Sequence, residues 1–254
     1  MPEYDEAIAL VRSPLLSQYP GIDFAMSTMQ GRVDDSVFGF NLGYRIGDDT
    51  DEVTESISRF FKILGLKRSQ VASMNQVHGT TIGIVSEPGA FDNTDALITE
   101  HAGIGLAVRT ADCVPVMLYA PGEQIIAAIH AGWRGSAEHI TTRTVEQMIE
   151  RYQVEPESLL AYVGPGAGVE KYEVGEEVAA QFPEETVRRR EGQKPLVDLK
   201  AANAKELLDL GVRERNVDIS PYNTITMPTV FHSHRRDGDT AGRMLAVICQ
   251  WEKD

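Results

Sequence analysis

The stretch Ile104–Ser136 reads IGLAVRTADCVPVMLYAPGEQIIAAIHAGWRGS, and it decides the expected fold and the expected site of this chain. It holds two apolar runs, Val114–Tyr119 and Gln124–Ile129, which predict two core strands. Cys113 directly precedes the first run, and His130 directly follows the second. Because core strands favour Val, Ile and Leu, a thiol and an imidazole at their ends indicate a functional site.

The rest of the chain mixes strand and helix signals. Further strands are predicted at Ile22–Met26, Val71–Val77, Thr80–Val85, Asp95–Ile98, Ile104–Arg109 and Leu159–Val163, with an extended segment at Thr224–His232. Helices are predicted from Thr50 or Asp51 to Leu64, from Ser136 to Tyr152, over Val174–Phe182 and Leu199–Leu210, and from Asp239 or Thr240 through Trp251. Strict βαβ alternation is absent, so we expect an α+β domain with a mixed sheet and no Rossmann fold. Without repeats or linkers, residues 1–254 are expected to form one domain.

Composition narrows the class of protein. The chain has 254 residues, of which 42% are apolar, and a net charge of -14, which does not suit a nucleic-acid binder. Its two cysteines do not make a disulfide framework. No run approaches the roughly 20 apolar residues of a membrane helix, and the first residues do not resemble a signal peptide. We expect a cytoplasmic protein, monomeric, with small-molecule partners and neither nucleic acid nor membrane.

Three residues whose side chains can bind a transition metal lie beside predicted strand ends. His78, Cys113 and His130 are spaced by 35 and 17 residues. Three protein ligands with an open fourth position are typical of catalytic zinc, whose bound water ionises near neutral pH. The alternative is a small buried thiol and two hydrogen-bonded histidines, because the spacing matches no compact local metal motif.

Other residues could bind an anion or move a proton. Arg134 lies in a glycine-rich turn before a predicted helix, where backbone N–H groups and a guanidinium favour phosphate. For Arg134 the alternative is a turn with a surface arginine and a packed Trp133. Arg235 and Arg236 form a basic pair near another predicted helix start, and a solvated charged turn is the alternative there. Asp112 either acts as an acid or base, or caps a turn.

Several motifs together resemble the YfiH family, also called the laccase-domain or multicopper polyphenol oxidase family. The pair TADCVPV and HAGWRG is highly specific, and the resemblance runs from about Phe24 onward. The other matching pieces are Phe40–Gly43, Asn75–Gly79, Asp95–Thr99, Tyr172–Gly175 and Ser233–Gly238.

The resemblance implies a mixed β-sandwich flanked by helices, similar to the catalytic domain of cytotoxic necrotising factor. It implies one zinc ion held by His78, Cys113 and His130. The implied activities are phosphorolysis of adenosine, inosine, guanosine and methylthioadenosine, and deamination of adenosine. The residues expected to be catalytic are Cys113, Asp112 and Arg134, and those expected to bind phosphate or substrate are Asn41, Gln76, Arg134, Arg235 and Arg236.

Two other chemistries stay open at this point. A copper-dependent polyphenol oxidase is one, since thiolate and imidazole bind copper, although six histidines are few for a multicopper cluster. A cysteine hydrolase or amidase is the other, with Cys113 as nucleophile and His130 as base. The chain also departs from the family pattern: Met29 stands where an arginine is usual, and Ser56-Ile57 replaces Asn-Arg.

Overall fold

The computed structural model describes residues 8–31, 38–44 and 46–252. Its strands are β1 (Leu10–Val11), β2 (Ile22–Ser27), β3 (Val71–Asn75), β4 (Ile82–Ile84), β5 (Gly89–Asp92), β6 (Ala96–Thr99), β7 (Gly105–Thr110), β8 (Val114–Ala120), β9 (Ile125–Ala131), β10 (Leu160–Val163), β11 (Val187–Arg188), β12 (Leu196–Val197), β13 (Val217–Ile219) and β14 (Met244–Gln250). Its helices are α1 (Thr50–Ile63), α2 (Trp133–Ala137), α3 (Ile140–Tyr152), α4 (Glu176–Ala179), α5 (Leu199–Asp209) and α6 (His234–Asp237). None of the described helices has the length and apolarity that a bilayer crossing requires.

The strands form two mixed six-stranded sheets. The first sheet has the order β1-β2-β14-β7-β3-β5, and the second has the order β13-β10-β8-β9-β6-β4. Each contains both orientations: β14 is antiparallel to β7, for example, while β3 is parallel to it. Strands β11 and β12 pair separately.

The two sheets share one core. Leu106 and Ile248 of the first sheet belong to the same buried cluster as Met117, Ile126 and Tyr162 of the second sheet. Because side chains alternate along a strand, the neighbouring residues of the same strands point to the outer faces. The molecule is therefore built around a β-sandwich.

Helices cover both outer faces of the sandwich. Phe60 of α1 packs in one cluster with Ala107 and Leu245 of the first sheet. Helices α3 and α5 cover the second sheet, where Val145 and Leu207 join the cluster of its outward-facing residues. The predicted mixed β-sandwich flanked by helices is confirmed, and the similarity to cytotoxic necrotising factor stays a prediction.

The predicted C-terminal helix is wrong. Met244–Gln250 is strand β14, the central strand between β2 and β7. All seven of its residues are buried. A strand buried on both faces loses the polar alternation that identifies a strand, and its apolar residues then satisfy helical spacing by chance.

Other predicted elements differ in extent. The predicted helix from Ser136 to Tyr152 is two helices, because His139 adopts a left-handed conformation with φ of 62° between α2 and α3. Helix α4 covers four residues of the predicted segment Val174–Phe182. The expected extended segment Thr224–His232 contains turns, such as the one in which Met227 accepts a hydrogen bond from the N–H of Val230.

Candidate metal and substrate site

Strand pairing brings two of the three predicted ligands together. Strands β8 and β9 are antiparallel neighbours, with Pro115 opposite His130, and Cys113 immediately precedes β8. His78 comes from the loop that follows β3. The ligand atoms of His78, Cys113 and His130 all lie within 4.8 Å of one another. Among the described residues, this is the one grouping of three or more such side chains suited to a metal ion.

The three side chains fit a single metal ion. Bonds of zinc to nitrogen and sulfur place neighbouring ligand atoms about 3.5 Å apart, so small side-chain adjustments close the observed spacing. Gly132 leaves room for this arrangement. A Cβ atom at that position would lie 3.0 Å from Sγ of Cys113 and 3.0 Å from Cδ2 of His78. Any side chain at this position would press against two of the ligands, whereas glycine leaves them undisturbed.

Asp95 holds two of the ligands in place. Its carboxylate lies 2.8 Å from Nδ1 of the buried His130, which leaves Nε2 as the metal-facing nitrogen. The same carboxylate accepts hydrogen bonds from the backbone N–H groups of Val77, His78 and Gly79 at 3.2, 3.0 and 2.8 Å. His78 has a φ of 61°, a conformation that these bonds stabilise. Such partners orient metal-binding histidines and raise metal affinity.

Sequence reasoning assigned no role to Asp95. The signal was present, because an aspartate stands directly before the apolar run Ala96–Ile98, where it is completely buried. A buried carboxylate requires several donors. Those donors come from loops distant in sequence, so the sequence did not show what they would be.

Charges within the site favour the thiolate form of Cys113. Burial by itself raises the pKa of this thiol, but the positive charge of His130 and hydrogen bonds from His130 and His78 lower it to about 6. Burial lowers the pKa of His130, whereas the Cys113 thiolate and Asp95 raise it to about 9. The thiolate is the form of cysteine that binds metals and attacks electrophiles.

The three ligands open into a cavity of about 950 Å³ that is rich in arginine. Arg109, Arg134, Arg235 and Arg243 line it. The guanidinium of Arg134 stacks 4.4 Å from the centre of the Trp133 ring, and that of Arg235 stacks 4.7 Å from the Tyr172 ring. An anionic ligand is thus favoured in spite of the acidic chain.

Asp112 is the one carboxylate among the described residues that line this cavity, and its oxygens are occupied. Oδ1 accepts a hydrogen bond from Oγ1 of Thr224 at 2.6 Å, and Oδ2 accepts bonds from Oγ of Ser233 and the N–H of Arg235 at 3.0 and 2.6 Å. These contacts indicate a positioning residue for the segment that carries Arg235. A catalytic role for Asp112 stays a prediction.

The predicted anion ligands divide into two groups. Gln76, Arg134 and Arg235 line the cavity, but Asn41 and Arg236 do not. The guanidinium of Arg236 is consumed by hydrogen bonds to the carbonyl groups of Thr224, Ile225 and Phe231 and by an ion pair with Asp237. Arg236 therefore stabilises its own segment, and its predicted place as a phosphate ligand is not supported by the contacts.

The side chains of Gln76 and Asn41 form hydrogen bonds with nearby backbone groups. The side chain of Gln76 donates to the carbonyl of Arg109 at 2.7 Å and accepts from its N–H at 2.8 Å. Asn41 is completely buried and accepts hydrogen bonds from the N–H groups of Gly43 and Arg243, both at 2.9 Å. Both side chains position cavity residues. A direct substrate contact by Gln76 stays a prediction.

Two cavity arginines, Arg109 and Arg243, were missed by the sequence analysis. Arg109 was interpreted as the end of a strand, and Arg243 fell inside the wrongly predicted helix. A guanidinium at the end of an apolar strand was the available signal for Arg109. Arg243 joins the site only because β14 lies next to β7.

Curated proteins similar to this chain are named purine nucleoside phosphorylase. The chain is 40% identical over 246 residues to a purine nucleoside phosphorylase of Deinococcus radiodurans, covering 95% of this chain and 92% of that protein. It is 38% identical over 215 residues to a purine nucleoside phosphorylase of Mycobacterium tuberculosis, covering 82% of this chain and 84% of that one.

Solved structures show the same fold. The crystal structure of YlmD from Geobacillus stearothermophilus matches with a TM-score of 0.89 and 31% identity over 96% of both chains. That of the hypothetical protein YfiH from Bacillus licheniformis matches with a TM-score of 0.89 and 25% identity over 96% of both chains. The family described as multi-copper polyphenol oxidoreductase laccase matches residues 23–250. The chain therefore belongs to this family, the YfiH or laccase-domain family.

Proposed function

We propose that this protein is a metal-dependent purine nucleoside phosphorylase. The observation that carries the proposal is one cavity in which a His–Cys–His metal site faces four arginines. The curated relatives named purine nucleoside phosphorylase support the same activity. The proposed substrates are adenosine, inosine, guanosine and methylthioadenosine, together with inorganic phosphate.

Phosphorolysis places definite demands on the protein. A phosphate oxygen attacks the anomeric carbon of the ribose, and a new C–O bond forms. The glycosidic C–N bond breaks with its electron pair leaving on the purine, which takes up a proton, so the products are a sugar 1-phosphate and the free base. The protein must therefore hold a dianion close to a neutral sugar and fix their relative orientation. A cavity lined by several arginines and one saturated carboxylate meets this demand.

The proposed metal is one zinc ion held by His78, Cys113 and His130. When bound there, zinc supplies a Lewis acid and acidifies a coordinated water. Copper is the alternative, because thiolate and imidazole also suit it, and the name of the family refers to copper. The single three-residue grouping among the described residues favours one ion over a multicopper cluster.

Deamination of adenosine is proposed as a second activity of the same site. Three protein ligands leave one coordination position open to water, as in hydrolytic zinc sites. A cysteine hydrolase is the competing class. It is favoured by the lowered pKa of Cys113, about 6, next to His130.

The decisive experiment combines substrates, phosphate and one variant. Protein purified without chelators is incubated with adenosine, inosine, guanosine or methylthioadenosine, with and without phosphate, and free base, sugar phosphate and ammonia are measured. Phosphate-dependent release of base is expected, and Cys113→Ala should reduce it by about a thousandfold or more because a metal ligand is lost.

Metal analysis and inhibition separate the alternatives. One equivalent of zinc and inhibition by chelators are expected. Copper instead of zinc would support the oxidase alternative. Inhibition by a thiol alkylator that chelators fail to reproduce would support the cysteine hydrolase. Absence of base and ammonia from every substrate would contradict the proposal.

A further inference from the structure

Two of the four cavity arginines come from neighbouring parts of the first sheet: Arg109 is in β7, and Arg243 directly precedes β14. Arg109 of β7 is paired directly with Leu245 of β14, and Arg243 precedes Leu245 by two residues. Residues two apart in an extended chain point to the same side, so Arg109 and Arg243 are diagonal neighbours on one face. Diagonal positions are close enough for long side chains to reach a common ligand. Both side chains line the cavity.

These two arginines keep unused hydrogen-bond donors. Arg109 donates through Nε to the carbonyl of Leu42 at 3.3 Å, and Arg243 donates through Nη1 to the carbonyl groups of Ala241 and Gly242. Within the described residues, no partner is recorded for either Nη atom of Arg109 or for Nε and Nη2 of Arg243. A guanidinium offers five N–H donors, so most of this pair's donors remain for a ligand.

Burial separates this pair from the other two arginines. Arg109 and Arg243 are half-buried, whereas Arg134 and Arg235 are exposed. Burial lowers the pKa of both Arg109 and Arg243 from the ordinary value. Among the described residues neither guanidinium forms a salt bridge, although the charges of Asp112 and Asp239 favour Arg243 from a greater distance. A dianion bound by both guanidinium groups would therefore offset part of the cost of burying them.

A short segment fixes the position of the pair. The Leu42 carbonyl accepts from Arg109, while the Asn41 side chain accepts from the Arg243 N–H. A Cβ atom at Gly43 would lie 2.4 Å from Cγ of Arg243, so only glycine lets this side chain lie against the segment. Residues 41–43 therefore position both guanidinium groups, and the buried Asn41 contributes to this through its hydrogen bond with the backbone of Arg243.

We propose that Arg109 and Arg243 hold the phosphate dianion that attacks the nucleoside, while Arg134 and Arg235 lie at the exposed part of the cavity. This inference rests on the proposed phosphorylase function and names the anion subsite within it. Planar guanidinium groups bind two phosphate oxygens at once, so a pair on adjacent strands holds the dianion in one orientation.

The test compares the two pairs of arginines. Arg109→Met and Arg243→Met are compared with Arg134→Met and Arg235→Met, and with the control Arg151→Met, an exposed arginine outside the cavity that stacks on Tyr152, in metal-loaded protein. The KM for phosphate is measured at saturating inosine, and binding of inorganic phosphate alone is measured by calorimetry. Each variant of the buried pair should raise the KM for phosphate about tenfold or more, with the KM for inosine changed no more than about threefold. Each exposed-pair variant should raise the KM for phosphate less than either buried-pair variant does, and Arg151→Met should leave it within about threefold of the wild type.

Each outcome decides a separate point. If the exposed-pair variants lose phosphate binding while the buried-pair variants retain it, the assignment of the phosphate to Arg109 and Arg243 is wrong. The assignment is also wrong if the wild-type protein binds no phosphate. Phosphate binding that depends on the buried pair, without cleavage of any nucleoside, would support the subsite and contradict the phosphorylase function. If a methionine variant fails to fold, Arg109→Lys and Arg243→Lys keep the charge but lose the two-point contact. Those lysine variants should weaken phosphate binding about threefold or more, and unchanged binding in both would count against the subsite.

Discussion

Asp95 and Asp112 are two buried carboxylates that each anchor a loop beside the cavity, yet they differ in the chemistry of their partners. Three partners of Asp95 are backbone N–H groups, and the fourth is the ring of His130. Two of the three partners of Asp112 are hydroxyl groups, those of Thr224 and Ser233. Backbone N–H groups can only donate, whereas a hydroxyl can also accept.

This difference determines whether the hydrogen-bond partners of each aspartate could accept an amide in its place. Asp95 can be satisfied only as a carboxylate, because every backbone partner is a fixed donor. Asp112 lies on the side of Arg235, where a rotated hydroxyl of Thr224 can accept a hydrogen bond from an amide. Replacing the carboxylate by an amide is thus expected to be far more damaging at Asp95, beside the metal ligands, than at Asp112, beside Arg235.

Asp95→Asn should have the largest effect. Whichever way the amide is oriented, its NH₂ group faces one or two backbone N–H groups, and those buried hydrogen bonds are lost. We expect the free energy of unfolding of the metal-free protein to fall by about 3 to 5 kcal/mol. We also expect zinc affinity to fall by about 10-fold to 100-fold, because His130 and the loop of His78 lose their common anchor. Denaturant unfolding and competition with a chelator measure the two effects. A variant that binds zinc like the wild type would show that Asp95 does not orient the ligands.

The segment that Asp112 anchors is also expected to make stability depend on pH, through His232, which directly precedes Ser233. Its ring is buried, which lowers its pKa to about 4. In the unfolded chain this histidine has a pKa of about 6.5 and is protonated first as the pH falls. The contribution of neutral, buried His232 to the free energy of unfolding is therefore complete above a pH of about 6.5. It falls as pH decreases from about 6.5 to about 4, by up to about 3 kcal/mol.

The check on His232 is a difference between two proteins. Denaturant unfolding at pH 7 and pH 4.5 is measured for metal-free wild type and for His232→Gln, which cannot titrate. The variant should lose less stability over this interval. Equal losses would show that His232 takes up its proton as readily in the folded chain as in the unfolded one.

Asp112→Asn should have the smallest effect. The amide oxygen can accept from Ser233 and the N–H of Arg235, while its NH₂ group donates to a rotated hydroxyl of Thr224. We expect a loss of stability of about 1 kcal/mol and zinc affinity within about threefold of the wild type. The companion variant Asp112→Ala leaves those donors unpaired and should destabilise by more. A loss of zinc as large as that of Asp95→Asn would remove the distinction between the two carboxylates.

Much of the site followed from residue types alone. Cys113 and His130 stood out because soft ligands at the ends of apolar strands conflict with core packing. Antiparallel pairing of β8 and β9 brings them together, and a turn between neighbouring strands makes that pairing local. Gln76, Arg134 and Arg235 were placed at the cavity by their motifs, and their roles toward phosphate or substrate stay predictions.

The roles of other residues depend on contacts between segments that are far apart in the sequence. Asp95 receives donors from a loop 16 to 18 residues away, and Arg243 lies near Arg109 only because β14 pairs with β7, a strand more than a hundred residues earlier. Strand β14 was mistaken for a helix because complete burial removes the alternation that marks a strand. Because the predicted helix included Arg243, the sequence did not indicate that this arginine lies at the cavity.

The sequence by itself determined the mixture of strands and helices, the candidate metal ligands and the motifs of the family, whose resemblance implied the sandwich. These signals are carried by neighbouring residues, through local hydrophobic period and side-chain chemistry. The tertiary structure alone decided which carboxylate orients the ligands, which arginines share a face, and which of the predicted anion ligands are already consumed by hydrogen bonds. Those properties depend on contacts between distant segments, and the residues that make such contacts are chosen by strand order and register.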